Sequence, residues 1–83
     1  SDEPAESAIS AEARGLLNLG QTLTDRADYA AAEIAFRQVL NSGAFTKPEH
    51  QEALVGLARM HRRQGSLTKA AAIYEKFIKE YPE

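Results

Sequence analysis

Two stretches of this chain align with each other at an offset of 38 residues, and the alignment repeats residue types as well as spacing. In each stretch, large apolar residues, a small residue, a short turn, an alanine and an aromatic residue follow one another in the same order. The matched residues are Leu16, Leu19, Gly20, Ala27, Ala32 and Phe36, and then Leu54, Leu57, Ala58, Gly65, Ala70 and Tyr74. A repeat of this length indicates one supersecondary unit used twice, because each unit buries its apolar face on its neighbour. Proteins built from such repeats more often present a binding surface than catalyse a reaction.

The pattern resembles the tetratricopeptide repeat (TPR), a helix-turn-helix unit of about 34 residues. On this resemblance, residues 1–83 form a single TPR-like domain, with repeat one at 13–46, a helical extension from about residue 3, and repeat two at 51–83. The resemblance implies an all-α fold of two antiparallel helix-turn-helix hairpins, stacked as a short right-handed α-solenoid. The departures from the family pattern are Leu23, Ala27, Val39, Ala44, His61 and Phe77.

Periodicity and end signals predict four helices. The first buries a stripe with helical spacing, made of Ile9, Ala13, Leu16, Gly20 and Leu23. The predicted helices run from about Glu3 to Asp25, from Tyr29 to about Asn41, from about Lys47 to Gln64, and from Leu67 to about Tyr81.

The helix ends carry their own signals. Thr46 and Glu49 fit a capping box, and Gly43 suits a left-handed residue after the second helix. The expected N-caps of the other three helices are Asp2 (with Ser7 or Ser10 as alternatives), Asp28 and Ser66.

Small residues set the predicted helix packing. In the pairing implied by the resemblance, Gly20 opposes Ala32 and Ala58 opposes Ala70, while Phe36 and Tyr74 fill the flanking space. Close packing of this kind leaves no room for a larger side chain. We therefore expect Ala70→Leu to destabilise the fold strongly.

Composition excludes several classes of protein. The formal net charge is −2, which gives no general attraction to nucleic acid, and no apolar run reaches the roughly 18 residues of a membrane-spanning helix. The chain has no cysteine, so disulfides and thiolate metal sites are excluded. Charge is uneven: residues 1–45 carry three basic and seven acidic side chains, and residues 46–83 carry seven and five.

No reactive constellation can be assembled, so we expect a non-enzymatic protein without metal or cofactor. His50 and His61 lie 11 residues apart on one predicted helix, a separation of about 16 Å that is too long for a shared metal ion. His61 falls at a packing position and is interpreted as a partly buried filler. Ser42 and Ser66 lie beside glycines and are interpreted as helix-end residues rather than nucleophiles.

In the family, the first helix of each repeat lines a concave groove. The resemblance places ten residues there: Arg14, Leu17, Gln21, Thr24, Asp25, Glu52, Val55, Arg59, Arg62 and Arg63. The arginines predict affinity for a protein or peptide partner with acidic or carboxylate groups. The alternative is that Arg62 and Arg63 only complement the helix dipole. The family's carboxylate clamp for chaperone C-termini is absent, since its positions hold Leu17, Gln21 and Gly56.

Apolar residues near the C-terminus form a second candidate surface. Phe77, Ile78 and Tyr81 would leave a patch open on the last helix. Either the chain is cut from a longer repeat array, as its start without Met also suggests, or this face forms a homodimer or binds another protein. The segment Ile73–Pro82 is similar to segments of bacterial envelope TPR proteins, which favours a bacterial protein of the periplasm, envelope or cytoplasm without placing it.

Three functions remain open at this point: groove binding of a partner segment, structural assembly through the last helix, and membership of a larger scaffold.

Overall fold

The computed structural model describes residues 4–83, with side chains from residue 8 onward. Four α-helices make up the fold: α1 (Pro4–Asp25), α2 (Tyr29–Leu40), α3 (Lys47–Gln64) and α4 (Leu67–Glu80). Helix α1 packs on α2 and α3 on α4, while α3 also packs on both α1 and α2. The all-α prediction of stacked hairpins is confirmed, and the helix bounds that fall on described residues lie within one residue of those predicted. The predicted start at Glu3 lies outside the described residues. The predicted cap at Asp2 lies outside the described residues.

Helix α3 begins as the sequence predicts. The Thr46 hydroxyl accepts a hydrogen bond from the Glu49 amide at 3.4 Å, and the Glu49 carboxylate accepts one from the Thr46 amide at 2.8 Å. Thr46 has an extended backbone, with ψ 166°. This reciprocal capping box satisfies two amides that would otherwise lack partners at the start of the helix.

Three other predictions about helix ends are wrong. Asp28 and Ser66 precede α2 and α4, but neither side chain caps its helix. Their ψ angles are 72° and 71°, far from the extended value at Thr46, so their side chains are not aimed at the first-turn amides. Gly43 does not take the left-handed conformation either, since Gly65 is the glycine with positive φ among residues 4–83.

Helices α1 and α3 end in the same way. Ala27 (φ 63°) and Gly65 (φ 89°) both lie in the left-handed region. The next amide then reaches back to the last helical turn, from Asp28 to the Leu23 carbonyl and from Ser66 to the His61 carbonyl, each at 2.8 Å. This Schellman arrangement turns the chain tightly into the following helix.

The buried face of α1 differs from the predicted stripe. Ala13 and Gly20 are buried as expected, but Leu17 and Thr24 are also fully buried, whereas Ile9, Leu16 and Leu23 are only half-buried. Leu19 is 48% exposed, although its counterpart Leu57 is fully buried. Helix α3 packs against a preceding hairpin and α1 does not, so α1 turns its buried face toward α2 and α3 and leaves the Leu19 side open.

The ring of Phe36 occupies the centre of the core, between two glycines. A Cβ on Gly20 would lie 2.6 Å from this ring, and a Cβ on Gly56 would come closer still. The close approach predicted at Gly20 is therefore present, but Gly20 faces the ring itself, and Gly56 was not predicted as its second neighbour. The fully buried residues of the core cluster are Ala13, Leu17, Ala32, Phe36, Val39, Ala53, Leu57 and Met60, with Phe45 from the α2–α3 loop packed beside them.

Tyr74 was predicted to fill space as Phe36 does, and this is wrong. Its side chain is 40% exposed, whereas Phe36 is 1% exposed. Phe36 lies under α3, and no described helix covers α4 in the same way.

Across the described residues, no helix is long and apolar enough to cross a membrane.

Candidate protein-interaction surfaces

The face formed by α1 and α3 carries the predicted groove. Seven of the ten residues that the resemblance placed there are exposed, and Glu52 is half-buried. The exposed residues are Arg14, Gln21, Asp25, Val55, Arg59, Arg62 and Arg63. The prediction for Leu17 is wrong, because its side chain is fully buried where α1 meets α3. Thr24, which the resemblance also placed in the groove, is buried as well, and its hydroxyl donates to the Gly20 carbonyl at 2.8 Å.

A bidentate ion pair joins Arg14 and Glu52 across this face. The Arg14 guanidinium donates to the two carboxylate oxygens of Glu52 at 2.7 and 2.8 Å. These hydrogen bonds lower the pKa of the Glu52 carboxyl below its ordinary value and raise the pKa of Arg14. Both side chains remain well exposed, so the pair aligns α1 with α3 more than it stabilises the fold.

Asp25 is the second link between α1 and α3. Its carboxylate lies 2.9 Å from the Arg63 guanidinium and 3.8 Å from that of Arg59. These arginines were predicted to be available to a partner, but Asp25 partly neutralises both. Arg62 is exposed and forms no ion pair with any described residue. A partner's carboxylate would bind Arg62 directly and would compete with Asp25 for the other two.

A small cavity of about 170 Å³ opens on the same face. Val55 lines it and is 47% exposed, which makes it the main apolar contact there. The other lining residues are Gln21, Thr24, Phe36, Glu52, Gly56 and Arg59. The volume is below that of typical sites for drug-sized ligands and suits a single side chain.

A larger cavity, which was not predicted from the sequence, lies on the opposite side of α3, between α2 and α4. Its volume is about 420 Å³. It combines an apolar floor, including Leu54 and Ile73, with polar groups from α3 and α4. His50 lines it, and its Nε2 lies 2.9 Å from the Ser42 carbonyl oxygen. The cavity arises because α2 and α4 both pack on α3 without meeting each other, a gap that no local sequence signal marks.

His61 lies in the packed interior, as predicted, but it is more buried than the partly buried filler that was expected. It is 4% exposed, and its Nδ1 has no hydrogen-bond partner among the described residues. In the region that the structure describes, no three His, Cys, Asp or Glu side chains come close enough to hold a metal ion.

Helix α4 exposes an apolar surface that differs from the predicted one. Ile78 is 66% exposed, as expected for that surface. Phe77 and Tyr81, by contrast, are half-buried. Their rings contact each other at an interplanar angle of 58°, with centroids 5.3 Å apart, and the Lys47 ammonium lies 5.7 Å from the Tyr81 ring centroid. The exposed large apolar residues of α4 lie along one line of the helix, which we call the α4 stripe: Leu67 (64%), Tyr74 (40%) and Ile78.

Comparison with known proteins gives one match. A family model described as "Tetratricopeptide repeat" matches residues 17–83, which include all of α2, α3 and α4 and the C-terminal part of α1. No curated protein and no solved structure matches the chain significantly.

Proposed function

This chain belongs to the tetratricopeptide repeat family, whose members generally mediate protein–protein interactions, and we propose that it acts as a non-enzymatic interaction module. In this proposal, a segment of a partner protein binds the face formed by α1 and α3. The observation that carries it is the position of Val55, an exposed apolar side chain beside a cavity with arginines along the same helix.

Recognition would combine an apolar anchor with charge. The cavity beside Val55 has room for one side chain of the partner, and burial of apolar area there favours binding. Arg62 would bind a carboxylate of the partner without losing an existing ion pair. Arg59 and Arg63 would exchange Asp25 for a carboxylate of the partner, which makes this part of the contact close to neutral in free energy.

The test is a display selection of peptides on the purified protein, followed by fluorescence anisotropy with the selected peptides. Val55→Glu should abolish capture, and Arg62→Gln should weaken capture of acidic peptides selectively. Arg37→Gln is the matched control, since Arg37 is an exposed arginine on α2, where it pairs with Glu33. Capture that survives Val55→Glu would refute the proposed site.

A second candidate function is structural assembly through α4. The exposed α4 stripe favours it, because three large apolar side chains aligned on one helix are more than the isolated exposure common on protein surfaces.

A further inference from the structure

The α4 stripe is the repeat counterpart of a surface that is covered elsewhere in the same molecule. An offset of 38 residues relates Tyr29, Phe36 and Leu40 of α2 to the three residues of the stripe, Leu67, Tyr74 and Ile78. On α2 these positions are half-buried or buried, because α3 packs over them. On α4 they are exposed. The molecule therefore shows which kind of element covers this surface: the first helix of a following repeat.

Helix α1 exposes the complementary surface. The residues of α3 that pack with Phe36 include Ala53, Gly56, Leu57 and Met60. Their counterparts on α1, at the same offset, are Gly15, Asn18, Leu19 and Thr22, and all four are exposed. One end of the molecule thus exposes the counterpart of the α2 face that α3 covers. The other end exposes the counterpart of the α3 face that packs on α2.

From this correspondence we infer that two copies of the chain associate head to tail, with α1 of one copy packed on the α4 stripe of the other as α3 packs on α2. The inference deepens the assembly function proposed above and does not depend on peptide binding by the α1–α3 face. The contact is heterologous, so it leaves a free α1 face and a free α4 stripe at the two ends, and further copies can add.

The charges are compatible with this contact. Within one copy, Arg14 pairs with Glu52 and Asp25 pairs with Arg63, and each pair joins residues 38 positions apart. Repeating the same step between copies places Glu52 opposite Arg14 of the second copy, and Arg63 opposite Asp25 of the second copy. Opposite charges therefore meet again, and the ion pairs extend as an alternating ladder that holds the register.

Two differences from the internal contact make the association weaker: Thr22 stands where α3 has the buried Met60, and Asn18 stands where α3 has Gly56. Gly56 lets α3 approach the Phe36 ring so closely that a Cβ would clash, but the corresponding pair between copies is Asn18 and Tyr74. Both side chains are larger, so α1 of the second copy must lie farther from α4. We expect a reversible association that depends on protein concentration.

The test is sedimentation velocity of the 83-residue chain from about 10 µM to about 1 mM, the range of dissociation constants typical of weak interfaces. The wild-type chain should form dimers and larger species as concentration rises. Leu19→Glu should block the α1 face and Ile78→Glu the α4 stripe, and each variant alone should stay monomeric. Both residues are exposed, so circular dichroism should show unchanged helix content.

A mixture of the two variants gives the decisive result. Each variant retains the face that the other lacks, so an equimolar mixture should form a dimer and nothing larger. In a symmetric dimer of two α4 stripes, Leu19→Glu would have no effect and the mixture would form no dimer of the two variants; that result would overturn the inference. Ile34→Glu is the matched control, since Ile34 is 61% exposed on α2 outside both faces, and it should associate like the wild type.

Two further readouts complete the design. Asn18→Gly should strengthen association several-fold, because it places on α1 the small residue that α3 has at Gly56. A wild-type chain that remains monomeric to about 1 mM would refute the head-to-tail contact. Peptide capture by the α1–α3 face, measured with the Ile78→Glu variant, should be unchanged. Failure of the assembly and failure of the peptide site are therefore distinguishable.

Discussion

The turns after α1 and α3 provide a stability test with an internal comparison. Ala27 and Gly65 occupy equivalent positions, 38 residues apart, and both have positive φ, at 63° and 89°. The left-handed conformation costs an L-residue about 1–2 kcal/mol. Glycine avoids this cost, but it lowers the stability of the fold by about 0.4–1 kcal/mol because it increases the conformational freedom of the unfolded chain. Ala27→Gly should therefore stabilise the fold by about 0.5–1 kcal/mol, the difference between these two effects.

Gly65→Ala should have the opposite effect and a similar size. No atom lies within 4 Å of the Cβ that the substitution would add, so no steric contact adds to the backbone strain and the unfolded-chain effect. The assay is urea and thermal unfolding followed by circular dichroism. A change of 0.5–1 kcal/mol corresponds to a Tm shift of roughly 2–8 °C in a domain of this size, upward for Ala27→Gly and downward for Gly65→Ala.

Gly15→Ala is the matched control for the same chemical change. Gly15 lies inside α1 without positive φ, and a Cβ there would meet nothing within 4 Å. An alanine inside a helix should stabilise the fold by about 0.5–1 kcal/mol, so the sign is opposite to that at Gly65. The reasoning would be refuted if both glycine substitutions shifted stability in one direction, or if Ala27→Gly lowered the free energy of unfolding.

Other predictions concern the core and the α1–α3 face. Gly56→Ala should destabilise by about 1–3 kcal/mol, because the added methyl group overlaps the buried Phe36 ring, and chemical denaturation should show this loss. Ala70→Leu should cost a similar amount of about 1–3 kcal/mol, since Ala70 is 3% exposed; an unchanged melting curve would contradict the packing described at α4. The lowered pKa of Glu52 means that its pairing with Arg14 stabilises the fold at neutral pH and is lost as the pH falls through the folded-state pKa, below the ordinary value of 4.5. The unfolding free energies of the wild type and of Glu52→Gln should accordingly converge in acid, and a constant difference between them would count against the pair.

The helix bounds were predictable because the sequence marks them locally. Gly65 ends α3, Thr46 begins it, and both signals depend on backbone conformation within a few residues. The buried face of α1 was not predictable from the repeat alone. The pattern treats Leu19 and Leu57 as equivalent, but within the described residues α3 packs on a preceding helix pair and α1 does not, and so Leu17 rather than Leu19 is fully buried.

The ion pairs of the candidate site were not predicted, although the sequence contains a signal for them. Arg14 and Glu52 occupy equivalent positions in the two repeats, as do Asp25 and Arg63, and each pair has opposite charges. Since α1 and α3 lie side by side, equivalent positions come close together. Comparing charges between repeats, in addition to apolar residues, would have shown that Asp25 partly neutralises the arginines. The exposure of Tyr74 could not be read in this way, because it depends on what packs against α4.

The two surfaces differ in physical character, and salt should separate them without any substitution. The α1–α3 face is rich in exposed charge, and capture of an acidic peptide there depends on attraction that salt screens over about 8–10 Å at physiological ionic strength. The α4 stripe is apolar, and association through Leu67, Tyr74 and Ile78 depends mainly on the removal of apolar area from water. Raising the NaCl concentration from about 0.05 M to about 1 M should therefore weaken peptide capture while self-association changes little. If self-association instead fell in parallel with peptide capture, the ion-pair ladder rather than the α4 stripe would hold the copies together.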